Sequence, residues 1–137
     1  MHYNKQEIIN ALRIAGAKNG DILFSHSNLG YFGMLEGAKI NLDILNAFKE
    51  AIFEVIGEHG TLVVPTFTYS FGSDKLEKVF DVKNTASKMG SFAEFIRLNK
   101  NALRSEDPMF SVAAIGAHSE LLTKNTSIYC FGANSFW

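Results

Sequence analysis

The sequence predicts an α/β fold of three layers, α/β/α, built on a central sheet that is mostly parallel or mixed. Segments in which apolar residues recur at helical intervals alternate along the chain with short runs of consecutive apolar residues. Such short runs are typical of strands that are covered on both faces. At 137 residues the chain has the size of one domain, and we expect residues 1–137 to form a single domain.

A helix and a strand are predicted first. Asn4 and Glu7 have the spacing of a capping box, and apolar residues follow at helical intervals. This helix is predicted to end near Asn19 and Gly20, because glycine commonly ends helices. Residues 21–27 follow as a buried strand with a polar end, and a loop with three glycines comes next.

The second helix and strand have the clearest patterns. Residues 42–56 carry apolar side chains on one helical face, and Gly57 or Gly60 is expected to end this helix. Residues 61–64 form a β-branched, apolar run that Pro65 ends. Further along, the sequence predicts a long loop over 66–85, a helix over 88–98 capped by Ser87, a strand over 110–115, a short helix over 119–124 and a strand over 128–131.

Composition and charge exclude several classes of function. A formal net charge of −1 argues against a nucleic-acid or anionic-membrane binder, since both usually present a basic face. No apolar run approaches the ~20 residues of a membrane span, and we expect a cytoplasmic protein. The single cysteine, Cys130, excludes an intramolecular disulfide and is interpreted as a small buried hydrophobe. The histidines lack metal-ligand spacing, so no metal site is predicted.

Polar residues follow the first predicted strand, where ligands bind in open α/β sheets. His26, Ser27, Asn28 and Leu29 could hold the amide-rich arm of a cofactor, or a phosphate, through side chains and backbone N–H groups. The alternative is a turn in which Ser27 and Asn28 bond their own backbone, and the residues alone favour this turn.

Polar and aromatic residues also follow the second predicted strand. Thr68 and Tyr69 lie in a loop where rings could hold the apolar side of a sugar and hydroxyls its polar edge. The alternative is a loop packed by its own Phe67 and Tyr69. Asp107 could pair with an ammonium group, or it could be a solvated turn residue partnered by Arg104.

Several segments in a fixed order resemble one enzyme family, the aminoglycoside 3-N-acetyltransferases, which use acetyl-CoA. They are Ser25-His26-Ser27-Asn28-Leu29, Gly60-Thr61-Leu62-Val63-Val64-Pro65-Thr66-Phe67-Thr68-Tyr69-Ser70, Met89-Gly90-Ser91-Phe92-Ala93-Glu94, Ser111-Val112-Ala113-Ala114-Ile115-Gly116 and Phe131-Gly132-Ala133-Asn134-Ser135. The resemblance implies transfer of an acetyl group to an amine of an aminoglycoside or another amino sugar. It also implies cofactor contacts from His26, Ser27, Asn28, Leu29, Ser111 and Val112, and substrate contacts from Thr68, Tyr69 and Asp107.

The chain departs from the family pattern just before the segment that begins at Ser111. Antibiotic-modifying members usually carry a His-Pro-x-His-Ser type of segment where this chain has Asp107 and Phe110 at the two histidine positions. Both changes remove a group that titrates near neutral pH. The departure argues against aminoglycosides as the natural substrate and favours other amino sugars.

The resemblance covers Asn4 to Ser135 as the N-terminal half of the family's members, so a truncated form of the family fold is expected. The family's general-base histidine lies in a later motif, Asn-Thr-x-x-His-x-x-Glu, which this sequence lacks. Catalytic residues are therefore left unassigned. The alternative function is a non-catalytic fragment or subunit that binds CoA or an amino sugar and either forms a homo-oligomer or associates with a missing C-terminal half.

Overall fold

The computed structural model describes residues 2–72, 74, 78–124 and 130–137. Its elements are β1 (His2–Tyr3), α1 (Lys5–Ile14), β2 (Ile22–Phe24), β3 (Met34–Leu35), α2 (Asn41–Ile56), β4 (Thr61–Pro65), α3 (Ser91–Arg97), β5 (Leu103–Arg104), β6 (Val112–Gly116) and α4 (Ser119–Thr123). Short 3₁₀ turns occupy Leu29–Tyr31 and Ser70–Gly72.

The main sheet has four strands in the order β2–β4–β6–β5. Strands β2 and β4 are parallel, whereas β6 is antiparallel to both β4 and β5. Because Pro65 at the end of β4 lies opposite Val112 at the start of β6, Ser111 is placed at the same edge as the polar ends of β2 and β4. The sheet is therefore mixed, as predicted. A separate parallel pair is formed by β1 and β3.

Helices cover both faces of this sheet, which confirms the layered α/β/α prediction. The larger core lies between α1, α2, α3 and one face of β4, where Leu62 and Val64 are fully buried. Val63 and Val112 lie on the other face, with Leu122 of α4 and Phe136 packed against them. Each buried Val or Leu side chain contributes about 1.5–3 kcal/mol, so β4 stabilises both layers.

The N-terminus of α1 follows the predicted capping box. Asn4 Oδ1 accepts a hydrogen bond from the Glu7 N–H at 3.0 Å, and Glu7 Oε2 accepts from the Asn4 N–H at 2.9 Å. The predicted end near Asn19 and Gly20 is wrong, because α1 ends at Ile14. Gly16 takes a left-handed conformation, with φ of 100°, and this conformation ends the helix.

The prediction of a buried strand over 21–27 is also wrong. Strand β2 spans only Ile22–Phe24, and Ile22 and Phe24 are 48% and 40% exposed. The cause is the position of β2 at the edge of the sheet, since helix α4 on this face packs mainly against β5 and β6.

Other predicted boundaries were confirmed or moved. The predictions of α2, β4 and α4 are confirmed within one or two residues. The helix predicted from residue 88 begins at Ser91, and Ser87 instead accepts a hydrogen bond from the Met89 N–H at 3.1 Å. The strand predicted over 110–115 begins at Val112. Half of the strand predicted over 128–131 lies outside the described residues, and the other half is wrong, because Cys130 and Phe131 lie in a bend. Among the described residues, no helix is long and apolar enough to cross a membrane.

Candidate functional site

A cleft of about 460 Å³ lies beyond the end of β2. One wall is formed by His26, Ser27, Asn28 and Leu29, and the other by residues 88–91, which precede and begin α3. Two segments that were predicted separately from the sequence therefore meet across one opening. Its volume lies within the usual range for small-molecule sites.

The first wall is an ordered turn. Asn28 Oδ1 accepts a hydrogen bond from the Gly30 N–H at 3.2 Å, and the hydroxyls of Ser25 and Ser27 lie 3.2 Å apart. Leu29 is buried in the core, whereas His26 and Asn28 are exposed. The turn interpretation therefore holds for Asn28, and Ser27 bonds a neighbouring side chain rather than its own backbone. The turn still leaves polar groups of His26 and Asn28 at the opening.

The second wall is fixed from two directions. The Ser87 N–H donates to Glu94 Oε2 at 2.9 Å, and Arg97 donates to both oxygens of Glu94 at 2.8 and 2.6 Å. The Lys88 N–H donates to the carbonyl of Phe67 at 2.8 Å, which ties this wall to the loop after β4. Lys88 itself is exposed and places a cation at the opening.

Glu94 makes the second wall sensitive to pH. Its hydrogen bonds with Arg97 lower the pKa of the carboxyl, partial burial opposes this, and the Ser87 N–H lowers it further. A carboxyl with a depressed pKa in the folded state stabilises the fold above its unfolded pKa, and this stabilisation is lost as the pH falls.

We expect Glu94→Gln to remove this dependence. Wild type should lose more of its free energy of unfolding than the variant between about pH 5 and pH 3, because only wild type must protonate Glu94. Urea unfolding at both pH values measures the difference. Glu58→Gln, at an exposed position beyond α2, is the control and should behave like wild type. An unchanged pH dependence in Glu94→Gln would contradict this role of Glu94.

The aromatic loop after β4 lies beside the cleft. The Tyr69 hydroxyl donates to the sulfur of Met89 at 3.5 Å, and Met89 lines the cleft. Tyr69 is 46% exposed and has a φ of 59°, an uncommon conformation for a bulky residue. Phe67 packs edge-on against Tyr69 and Phe110, as the alternative interpretation of the loop expected. The loop is therefore packed by its own rings and still presents Tyr69 next to the cleft.

Thr68 and Asp107 both hold the turn around Pro108. Thr68 is 3% exposed, and its hydroxyl donates to the carbonyl of Pro108 at 2.5 Å. Asp107 Oδ1 accepts from the N–H groups of Met109 and Phe110, each at 2.8 Å, so Asp107 shapes a turn. Asp107 is only partly buried, which leaves its carboxylate accessible.

Cys130 lies next to this turn and is partly, rather than fully, buried. Burial raises the pKa of its thiol, and the hydrogen bond and negative charge of Asp107 raise it further. A raised pKa keeps the thiol protonated at neutral pH, so Cys130 is not an activated nucleophile. Its interpretation as a small buried hydrophobe holds only in part, because Cys130 is partly exposed and its thiol bonds Asp107.

Arg104 holds the loop after β4 to the sheet. The predicted pairing of Arg104 with Asp107 is wrong: Arg104 Nε donates to Thr66 Oγ1 and Ser111 Oγ, each at 3.2 Å, and Nη2 donates to the Thr66 carbonyl at 2.7 Å. Its Nη1 donates to the Thr85 carbonyl at 2.5 Å. Burial, with a smaller effect from Arg97, lowers the pKa of Arg104 to about 10, so the guanidinium stays charged at neutral pH.

Ser111 and Val112 lie beneath the surface. Both are fully buried, and the Ser111 hydroxyl bonds to Thr66 and Arg104. Direct contact of Ser111 and Val112 with a cofactor stays a prediction, and their burial does not support it.

Two residues that matter for the cleft were missed in the sequence. Lys88 was not identified as part of the cleft, although it directly precedes the Met89-Gly90-Ser91 segment. This adjacency could have identified Lys88. Nothing in the sequence around Arg104 distinguishes it from an arginine that is exposed to solvent.

Comparison with known proteins agrees with the fold and the arrangement of segments. The profile of the aminoglycoside 3-N-acetyltransferase family matches residues 24–137. A curated relative, the SPbeta prophage-derived aminoglycoside N(3')-acetyltransferase-like protein YokD of Bacillus subtilis (strain 168), is 25% identical over 151 residues, which cover 96% of this chain and 53% of the relative.

Solved structures show the same fold. The YokD structure from Bacillus subtilis superposes with a TM-score of 0.81 at 23% identity, covering 97% of this chain and 58% of that one. AAC-IIIb, solved in a binary complex with CoASH, has a TM-score of 0.80 at 21% identity, and the superposition covers 98% of this chain and 54% of that one. AAC-VIa, solved with sisomicin, has a TM-score of 0.79 at 25% identity, with the same coverage of 98% and 54%.

The chain thus spans about half the length of the relatives it matches. The family match nevertheless extends over most of this chain, from the end of β2 through both walls of the cleft. The chain belongs to the aminoglycoside 3-N-acetyltransferase family, as its sequence motifs predicted.

Proposed function

We propose that this chain binds acetyl-CoA in the cleft between His26–Leu29 and Lys88–Ser91, and that it acts as part of an enzyme that acetylates an amine of an aminoglycoside or another amino sugar. The observation that carries the proposal is the meeting of two family motifs across this cleft. We further propose that residues 1–137 form one domain, since helices on both faces pack on one sheet.

The residues of the cleft fit the chemistry of this cofactor. Lys88 supplies a cation for a phosphate group, and the polar groups of Ser27, Asn28 and Ser91 can bond amides of the pantetheine arm. Met89 supplies apolar surface beside these groups. Five of the eight lining residues are polar or charged, which suits a ligand that carries phosphates and amides. When bound, acetyl-CoA supplies the activated acetyl group.

The acceptor amine is proposed to approach from the side of the aromatic loop. Tyr69 contacts Met89 in the cleft wall and leaves part of its ring exposed for a sugar face. Thr68 ties this loop to Pro108, next to Asp107, whose carboxylate can hold an ammonium group of the acceptor. Thr68 therefore positions the turn rather than touching substrate, while Tyr69 and Asp107 are the proposed contacts.

Acetyl transfer also needs a base that removes a proton from the amine and a donor that stabilises the developing oxyanion. The family's His/Glu motif is absent from this sequence. We therefore propose that these groups belong to the half of the family's fold that this chain does not span. A second candidate function follows from the same coverage: a cofactor-holding subunit without catalytic activity of its own.

Calorimetric titration with acetyl-CoA tests the proposal. We expect wild type to bind and Lys88→Glu to bind roughly tenfold more weakly, because a cation is replaced by an anion at the opening. Lys100→Glu, an equal charge change at an exposed position after α3, is the control and should bind like wild type. Equal weakening in both variants would show that acetyl-CoA does not bind in this cleft. Absence of binding by folded wild type would show that the chain does not bind acetyl-CoA.

Release of free CoA thiol in the presence of amino sugars separates the two candidate functions. We expect binding without release from this chain alone, since the His/Glu motif is absent. Release by this chain alone would show that it contains a complete catalytic site, and the proposed location of the base in the other half would then be wrong.

A further inference from the structure

A second cavity, of about 650 Å³, lies beside β5, the strand at the other edge of the sheet from β2. It is lined by the end of α3, by β5, by the end of α4 and by the loop that precedes α3. Helix α3 begins with Ser91 at the cleft and ends with Arg97 at this cavity. With a rise of about 1.5 Å per residue, the backbone positions of Ser91 and Arg97 are roughly 9 Å apart. The cavity is therefore separate from the cleft proposed for the cofactor.

The lining of this second cavity, which we call the basic cavity, is rich in cations. Lys83, Arg97, Arg104 and Lys124 line it, against one carboxylate, that of Glu106. An excess of one sign of charge within a concave surface raises the local concentration of ligands of the opposite charge. The basic cavity therefore favours an anion.

Three carboxylates that interact with these cations lie outside the described lining of the basic cavity: Asp81, Glu94 and Glu120. Glu94 Oε1 is 2.6 Å from Arg97 Nη2, and Glu120 Oε1 is 2.6 Å from Lys124 Nζ. The Lys124 side chain is nevertheless 55% exposed. A guanidinium has more N–H donors than the three hydrogen bonds that Arg97 makes with described residues. Both cations therefore retain donors for a ligand.

Arg104 brings a positive charge that has only neutral hydrogen-bond partners among the described residues. Its guanidinium bonds the carbonyls of Thr66 and Thr85 and the hydroxyl of Ser111. Burial, and then the charge of Arg97, lower the pKa of Arg104, and more distant carboxylates offset only part of this. The two guanidinium groups therefore repel each other, and an anion bound between them and the lysines would offset this repulsion.

We propose that the basic cavity binds a small organic phosphate, with the phosphate group among Lys83, Arg97, Arg104 and Lys124. Guanidinium groups bind phosphate through parallel N–H bonds, and ammonium groups bind it as point charges. The Arg97 side chain is only 6% exposed and is fixed by Glu94, so little conformational entropy is lost when it binds a ligand. This site goes beyond the proposed acetyl transfer and does not rest on it.

The rest of the lining fits the organic part of such a ligand. Val82, Leu98 and Leu103 supply apolar side chains next to the cations. The volume of about 650 Å³ lies within the usual range of sites for small organic molecules, and it exceeds what a phosphate ion alone would fill. An organic phosphate therefore uses more of the basic cavity than an inorganic ion does.

Chemical-shift titration of the isotope-labelled chain tests the proposal with three probes: glucose 6-phosphate, inorganic phosphate and glucose. We expect glucose 6-phosphate to bind, with the largest shifts at the amides of residues 82–84 and 102–104. Inorganic phosphate should bind more weakly at the same amides, and glucose should not bind at the same concentrations. Absence of glucose 6-phosphate binding, equal binding of glucose, or shifts that lie elsewhere would each overturn the proposal. Equal affinity for inorganic phosphate would overturn the part assigned to the apolar lining.

Replacing both lysines of the basic cavity by glutamine tests the charges without touching the two arginines. Lys83 and Lys124 are exposed, so the double variant Lys83→Gln/Lys124→Gln should fold like wild type. We expect it to bind glucose 6-phosphate roughly tenfold more weakly. Lys18→Gln/Lys39→Gln, an equal change of charge at exposed positions that do not line the basic cavity, is the control and should bind like wild type. Equal weakening in the two double variants would overturn the proposed location.

A titration in the presence of saturating acetyl-CoA separates the two sites. We expect glucose 6-phosphate to bind with unchanged affinity, because the basic cavity and the cleft lie at opposite ends of α3. Competition between acetyl-CoA and glucose 6-phosphate would show that both occupy one site, and would overturn the proposal of a separate one. If the chain did not bind acetyl-CoA, the proposed function would fail, while binding of glucose 6-phosphate and its loss in the lysine variant would still support the basic cavity.

Discussion

Replacing Arg104 by methionine is expected to lower the free energy of unfolding by about 3 kcal/mol, because it leaves several acceptors without a donor. The guanidinium is partly buried and bonds the carbonyls of Thr66 and Thr85 and the hydroxyl of Ser111. Thr66 and Ser111 are fully buried, so water cannot readily replace the lost donors. Methionine restores part of the volume and none of the hydrogen bonds.

Arg104→Lys separates charge from geometry. A lysine keeps the positive charge but has no planar fork, and it cannot bond Thr66, Thr85 and Ser111 at once. We expect it to recover only part of the lost stability. Arg13→Met, at an exposed position in the last turn of α1, is the control and should change stability by less than about 0.5 kcal/mol. Urea unfolding measures all three variants. An equal effect of Arg104→Met and Arg13→Met would contradict the structural role of Arg104.

Arg104→Met is also expected to weaken ligand binding in the cleft. Arg104 fixes Thr66, the next residue is Phe67, and the Phe67 carbonyl holds the Lys88 N–H. Loosening Thr66 therefore loosens the wall that carries Lys88. The expected consequence is weaker binding of acetyl-CoA by the folded fraction of Arg104→Met, measured by calorimetry below its unfolding transition. Arg104 is thus a positioning residue, with no contact of its own in the cleft.

The elements that sequence predicted well are those whose pattern is long or uniform. Helix α2 has an apolar face over 16 residues, and β4 is an uninterrupted apolar run that is buried on both faces. Strand β2 has a similar apolar run, but its burial was predicted wrongly. Burial on both faces depends on the order of strands in the sheet, and strand order is a property of the fold that a local pattern does not contain.

The candidate site was predictable in parts. The segments around Asn28 and Met89 were each identified from the sequence, but their meeting across one cleft depends on how α3 packs beside the end of β2. Ser111 was identified from its motif, while its burial follows from the antiparallel pairing of β4 and β6. Arg104 was missed as the centre of a hydrogen-bond network, because carbonyl acceptors converge on it from residues 22 and 38 positions away.

Gly116→Ala is the second substitution with a large expected effect, a loss of about 3 kcal/mol or more in the free energy of unfolding. Gly116 ends β6 with a φ of 129°, a conformation that residues with a Cβ rarely adopt. A methyl group there would overlap the carbonyl oxygen of Gly60 and lie 2.7 Å from the Cα of Thr61. Both neighbours are backbone atoms at the start of the paired strand, in Thr61 and the residue before it, so the clash can be relieved only by separating β4 from β6.

Gly20→Ala is the matched control, because it separates the clash from the backbone conformation. Gly20 also has a positive φ, of 84°, but nothing lies within 4 Å of the position its Cβ would take. It should therefore cost only the conformational penalty, about 1–2 kcal/mol. Equal losses in the two variants, measured by urea unfolding, would show that β4 and β6 can part without further cost. A larger loss in Gly116→Ala would show that the close approach of Gly116 to Gly60 fixes the register of the two strands, and with it the position of Ser111 beside Thr66.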